Sequence, residues 1–251
     1  MAQRNAAAPQ PQEQTTPIST SSLLPTAPTP RKTRLEDQNI LLYGPPKIGK
    51  SSFAAQMEMP IFAATEDGLH DLEVYQVPIG DWPTFLRFCG EIAQGNHPFK
   101  NIVIDTVDNL FKYCSQHMRQ KLGIIHESDM EWGKGWSIVK DEFMRVITKL
   151  ASLPYGLFLI SHAELREIKT RTEKYDKWMP TMSKQAWEIL YPFLDIILFA
   201  DIEETEEGDR RVVRCRASKY WEAGCRAKSM PDSVQLDFQT FKQIYEEAVS
   251  K

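Results

Sequence analysis

Eight residues, Gly44-Pro45-Pro46-Lys47-Ile48-Gly49-Lys50-Ser51, fit the phosphate-loop pattern G-x-x-x-x-G-K-[ST] at every fixed position. Such a loop turns its backbone N–H groups toward a polyphosphate at the positive end of a helix. Lys50 would reach the β- and γ-phosphates, and the Ser51 hydroxyl would ligate Mg²⁺. The contact set expected for ATP runs from Gly44 through Ser52. The setting supports the pattern, because the apolar run Ile40-Leu41-Leu42-Tyr43 precedes it and the helix-compatible Ser52-Phe53-Ala54-Ala55-Gln56-Met57 follows.

A second piece of chemistry lies in Asn101-Ile102-Val103-Ile104-Asp105, an apolar strand that ends in a carboxylate. In an open parallel sheet that carboxylate emerges at the carboxyl edge, where ligands bind. Asp105 would hold Mg²⁺ through water, opposite Ser51. The next residue is Thr106, where many ATPases carry the glutamate that activates water. The base must then come from elsewhere. Glu66, in Ala64-Thr65-Glu66-Asp67-Gly68, stands just past the strand expected after the phosphate-loop helix and is the first candidate, ahead of Asp67. An ordinary polar turn is the alternative. The apolar strand Leu157-Phe158-Leu159-Ile160 ends in Ser161-His162, and at that edge His162 could sense the γ-phosphate by a hydrogen bond.

After this strand comes Ala163–Thr181, in which Arg166, Lys169, Arg171, Lys174 and Lys177 interleave with Tyr175 and Trp178. Cations and aromatic rings together suit single-stranded nucleic acid, the cations pairing with phosphates and the rings with bases. Four acids, Glu164, Glu167, Glu173 and Asp176, nearly cancel that charge, and a solvated β-hairpin is the competing reading. In Glu131-Trp132-Gly133-Lys134-Gly135-Trp136 the tryptophans are expected to pack rather than to stack on bases.

These residues need a scaffold that brings distant segments to one edge. From residue 35 strand-like and helix-like segments alternate, the signature of a parallel α/β sheet with crossover helices. Strands are expected at 39–43, 60–64, 74–77, 101–105, 157–161 and 195–200, and helices at 50–57, 82–94, 109–122, 136–152, 184–190 and 238–249. The near-continuous apolarity of the strands implies helices on both faces. An acidic turn at 203–209 followed by the strand 211–217 implies a C-terminal antiparallel hairpin. Residues 1–35, rich in Pro, Gln, Thr and Ser, read as a disordered tail, and 36–251 as the folded domain.

The net charge of −4 gives no global basic footprint for nucleic acid. The four cysteines, Cys89, Cys114, Cys215 and Cys225, show neither CxxC pairing nor metal-ligand spacing and read as reduced thiols. No apolar run nears the roughly 18 residues of a membrane span, and no signal-peptide region opens the chain. The expected compartment is the cytoplasm, the host's if the gene is a phage's.

Together, Tyr-Gly-Pro-Pro-Lys-Ile-Gly-Lys-Ser, Ala-Thr-Glu-Asp-Gly, Val-Ile-Asp-Thr and Ile-Ser-His resemble the phage-type AAA-domain nucleotide-binding proteins, RecA-like P-loop ATPases of which some are single-strand annealing recombinases. The resemblance runs from about residue 36 to 245. It implies a RecA-like core with ATP at subunit interfaces of a ring or filament, Glu66 at the catalytic position and His162 at the sensor position. It also implies a Lys-x-Arg pair on a late strand that reaches a neighbour's ATP. Arg226 fits the arginine of that pair, but Gly224 stands where lysine is expected, and Lys219 or Lys228 would have to substitute. The expected partners are single-stranded DNA, further copies of the chain and a single-strand-binding protein, with ATP hydrolysis stimulated by DNA. Two other readings stay open: an ATP-driven accessory switch of the loader or packaging type, and a small-molecule kinase, for which no Arg-rich lid is seen.

Overall fold

The computed structural model describes residues 27–28, 31–206 and 208–250. Most of the segment read as a disordered tail lies outside the described residues. Six segments pair in parallel: β1 (Asn39–Gly44), β2 (Pro60–Ala64), β3 (Tyr75–Pro78), β4 (Asn101–Asp105), the first half of β5 (Gly156–Lys169) and β7 (Ile196–Glu203). Their order across the sheet is β3-β2-β4-β5-β1-β7. Beyond β7 the sheet turns antiparallel through β8 (Arg210–Arg214) and β10 (Ser233–Gln235). The short β9 (Gly224–Cys225) pairs with the first residues of β7, and β6 (Lys174–Pro180) folds back on the far half of β5.

Alternate residues of each central strand enter two separate apolar layers, as the two-residue strand period dictates. Leu41, Tyr43, Leu157, Leu159, Ile102 and Ile104 face one layer, covered by α2 (Trp82–Gln94), α3 (Val107–Leu122), α4 (Lys134–Ala151) and α5 (Lys184–Leu190). Ile40, Leu42, Phe158, Ile160 and Val103 face the other, covered by α1 (Lys50–Ala55) and α6 (Phe238–Ser250). Both faces are dry, which explains why the strands read as continuous apolar runs. Phe53 of α1 contacts Phe158, Phe238 and Phe241 and fastens the phosphate-loop helix to the sheet. Losing such a ring typically costs about 3–5 kcal/mol.

One boundary moves. Leu35, taken with the tail on composition, is fully buried in the second layer, and the compact unit begins at Lys32. A helical turn at Leu35–Asp37 leads the chain into β1. Glu36, also buried, pairs with Lys242 of α6. Among the described residues no helix is long and apolar enough to cross a membrane, and all four cysteines are free thiols.

Candidate active site

The sheet order explains how four distant motifs meet. β5 lies between β1 and β4, so the strand that carries His162 separates the phosphate-loop strand from the Asp105 strand. In register, Gly44 stands beside His162, Ile160 beside Asp105, and Asp105 beside Ala64. Each motif therefore leaves the sheet at the same carboxyl edge.

The phosphate loop leaves β1 under steric constraint. A Cβ on Gly44 would stand 2.8 Å from both Cβ and O of Ala200 on β7, so only glycine lets the two strands approach. Gly49 adopts φ 115°, a conformation that disfavours any side chain, and opens α1. Lys50 is buried, and its Nζ donates to the carbonyls of Gly44 and Pro45, each at 2.9 Å. Burial pulls the Lys50 pKa down, while Asp105, Glu66 and Asp108 nearby push it up. Ser51 Oγ donates to Asp105 Oδ2 at 2.6 Å, which joins the loop to the second strand. Burial raises the Asp105 pKa; the Ser51 hydrogen bond opposes this and the Glu66 charge adds to it.

Glu66 is held by three donors. Its Oε1 accepts from Thr106 Oγ1 at 2.8 Å and Asn109 Nδ2 at 2.9 Å, and its Oε2 faces His162 Nε2 at 3.1 Å. A carboxylate only accepts, so Nε2 carries the proton in this contact. Behind this cluster the Thr65 hydroxyl donates to the Thr106 carbonyl at 2.9 Å and accepts from the Thr106 N–H at 2.8 Å. The two strand ends are thereby locked side by side. Asp67 points elsewhere, exposed and paired with His70 at 2.9 Å. The sequence shows Thr106 only as the residue in place of an acid, and nothing in it marks Thr106 or Asn109 as a donor to a residue some 40 positions earlier.

Asp108, on the first turn of α3, is a further residue the sequence did not flag. Its Oδ1 accepts from Ser161 Oγ at 2.9 Å and Thr181 Oγ1 at 2.7 Å, while its buried Oδ2 has no hydrogen-bond partner among the described residues. Burial pushes its pKa up, against those two hydrogen bonds. Thr181 N–H also donates to the His162 carbonyl at 3.0 Å. The start of α3 is thus tied to both ends of the β5–β6 hairpin.

The structure divides the basic residues of that hairpin. Arg166 donates to the carbonyls of Pro180 and Met182, both at 2.9 Å, and Lys177 pairs with Glu222 at 2.7 Å. Trp178 is half-buried and stacks on Phe199, with centroids 6.1 Å apart. The Tyr43 hydroxyl donates to the Glu222 carbonyl at 2.7 Å and accepts from its N–H at 3.0 Å, which fixes this corner to the end of β1. Arg166, Lys177 and Trp178, expected as nucleic-acid contacts, are thus each also engaged within the fold. Lys169 and Lys174 are exposed and face Glu167 at 3.1 and 3.8 Å, and Arg171 at the tip is exposed with no ion pair among the described residues. Lys219 pairs with Glu173 at 2.6 Å over the Tyr175 ring. The packing expected of the loop tryptophans holds for Trp136, half-buried beside His126, but not for Trp132, which is 99% exposed.

Arg226 does not join this edge. It follows β9, which pairs with Ile196 at the start of β7, level with Ile40 and four residues before Gly44. At about 3.3 Å per residue that is roughly 13 Å from the loop of its own chain. Its side chain is 74% exposed, with Nη1 3.4 Å from Asp195 Oδ1.

Strand order, phosphate loop and the Asp105 edge define a RecA-like P-loop ATPase domain. The chain belongs to the AAA_24 family, described as an AAA domain, which matches residues 36–227. It is similar to the SPbeta prophage-derived uncharacterized protein YorG of Bacillus subtilis (strain 168), with 24% identity over 189 residues. The match covers 73% of this chain and 56% of that relative, so the chain spans little more than half the relative's length. Among solved structures it is similar to the KaiC-like protein PH0186 from Pyrococcus horikoshii OT3, at 17% identity and a TM-score of 0.45, over 75% of this chain and 81% of that one.

Proposed function

We propose that the chain binds and hydrolyses Mg-ATP and couples that cycle to single-stranded DNA, in recombination or annealing. The observation that carries the hydrolytic part is Glu66, held by three donors beside Asp105 at the edge where the phosphate loop opens. A carboxylate so held stays oriented to take a proton from water. Lys50 supplies the cation for the β- and γ-phosphates once it exchanges the carbonyls of Gly44 and Pro45 for phosphate oxygens. His162 would then turn from Glu66 toward the γ-phosphate and free the base.

The donor set fits magnesium. Ser51 Oγ and Asp105 Oδ2, 2.6 Å apart, are hard oxygen ligands of the kind that hold this ion with phosphate and water. The ion would neutralise charge on the β- and γ-oxygens. Asp105, buried and close to Glu66, is also a carboxylate whose ionised form gains from a cation.

The DNA part rests on the β5–β6 hairpin, whose tip carries Lys169, Arg171 and Lys174 away from the sheet and whose base is tied to the edge through His162 and Asp108. Arg226, exposed and remote from its own loop, fits a role toward a neighbour's nucleotide in a ring or filament. One observation favours the accessory-switch reading: Glu167 lies close to two of the three tip cations, and Trp178 packs inward. ATP turnover measured with and without single-stranded DNA separates the two. Severalfold stimulation is expected. Unstimulated turnover, with no strand binding at low salt, would make the chain an accessory switch.

A further inference from the structure

We infer that Arg211 supplies a second cation to the polyphosphate of the bound nucleotide, from the β7–β8 hairpin of the same chain; this rests on the nucleotide-binding reading above. The hairpin rises beside the phosphate loop. Ala200 of β7 abuts Gly44, and two residues further on Ile202 pairs with Arg211 of β8. At the other end of the loop, Arg211 Nη1 lies 3.8 Å from the point where a Cβ on Gly49 would stand. Leu236 Cδ2 lies 3.5 Å from the same point, and the Leu236 N–H donates to the Arg211 carbonyl at 3.0 Å, so the arginine backbone is pinned there.

Among the described residues its charge is uncommitted, unlike that of its neighbours. Arg210 donates to Glu203 at 2.6 Å, and Arg214 donates to Asp201 at 3.0 Å and Glu203 at 2.8 Å. The Arg211 side chain is exposed and makes no hydrogen bond or ion pair among the described residues. Lys50 alone offsets one charge of a polyphosphate that carries several. A planar guanidinium is suited to two parallel hydrogen bonds with a phosphate.

The test uses the full chain and measures dissociation constants for Mg-ADP and Mg-GDP, with wild type, Arg211→Ala, Arg211→Lys and Lys50→Ala side by side. Among the described residues the Arg211 side chain has no hydrogen-bond or ion-pair partner to lose, so its variants should fold. Arg211→Ala should weaken both nucleotides by the same factor, roughly tenfold for one charge-assisted contact. Arg211→Lys should recover most of that loss. Unchanged affinity in Arg211→Ala would overturn the inference while leaving the phosphate loop standing. A changed preference between ADP and GDP would also overturn it, because the contact would then be with the base. If wild type binds neither nucleotide, or Lys50→Ala binds as well as wild type, the underlying reading fails and the inference goes with it.

Discussion

Asp105 shows most clearly that the site is built for a ligand rather than for stability. Burial raises its pKa and the neighbouring Glu66 carboxylate adds to this, against the Ser51 hydroxyl and the nearby Lys50 cation. An acid whose folded-state pKa exceeds its unfolded value contributes stability at low pH that is lost as the pH rises through the folded value. At neutral pH, above the unfolded value, burying Asp105 is therefore a cost. Asp105→Asn should therefore raise the thermal midpoint of the nucleotide-free protein at pH 7, with the gain vanishing toward pH 4, and should abolish the magnesium dependence of ATP binding. A lower midpoint at pH 7 would refute the argument. At this scale the sequence was legible where a residue belongs to a fixed pattern, as with Lys50, Ser51 and Asp105. Glu66 was legible because a strand end could be counted. Thr106, Asn109 and Asp108 were not, because their partners arrive through strand adjacency that no local pattern encodes.

The central strands and the helices stand close to where periodicity put them, since both faces of the sheet demand continuous apolar runs. The difference lies in β5, which was expected to end near Ser161 and instead runs on to Lys169 as one arm of a hairpin with β6. Its far half alternates half-buried and exposed residues, so it lacks the apolar signature of the first half. The same alternation hid which cations face solvent. Lys169→Ala, Arg171→Ala and Lys174→Ala combined should flatten the slope of log K against log[salt] for single strands by about 2, at roughly 0.7 per lost phosphate contact, and leave ATP affinity unchanged. A slope identical to wild type would remove the hairpin from the DNA interface. Trp178→Ala, by contrast, should show itself as a loss of stability, since its ring packs on Phe199.

As a molecule, the chain is a sheet with one chemical edge, and each long crossover returns a motif to it. Two buried layers hold the strands in the register that brings Gly44, His162, Asp105 and Ala64 together. Arg226 follows β9 at the other end of β7 from this edge, and under the function proposed above it would act on the nucleotide of a neighbouring copy. The resemblance carried that expectation; composition and spacing did not, because an interface between copies leaves little local trace in one sequence. The central claim is that Glu66 activates water for hydrolysis of a nucleotide already bound. It is tested most directly by the Glu66→Gln variant, with Mg-ATP binding and single-turnover hydrolysis measured on the same preparation. The amide is nearly isosteric but cannot take the proton. Binding should match wild type while hydrolysis slows by roughly 10²- to 10⁴-fold; hydrolysis at the wild-type rate would contradict the account.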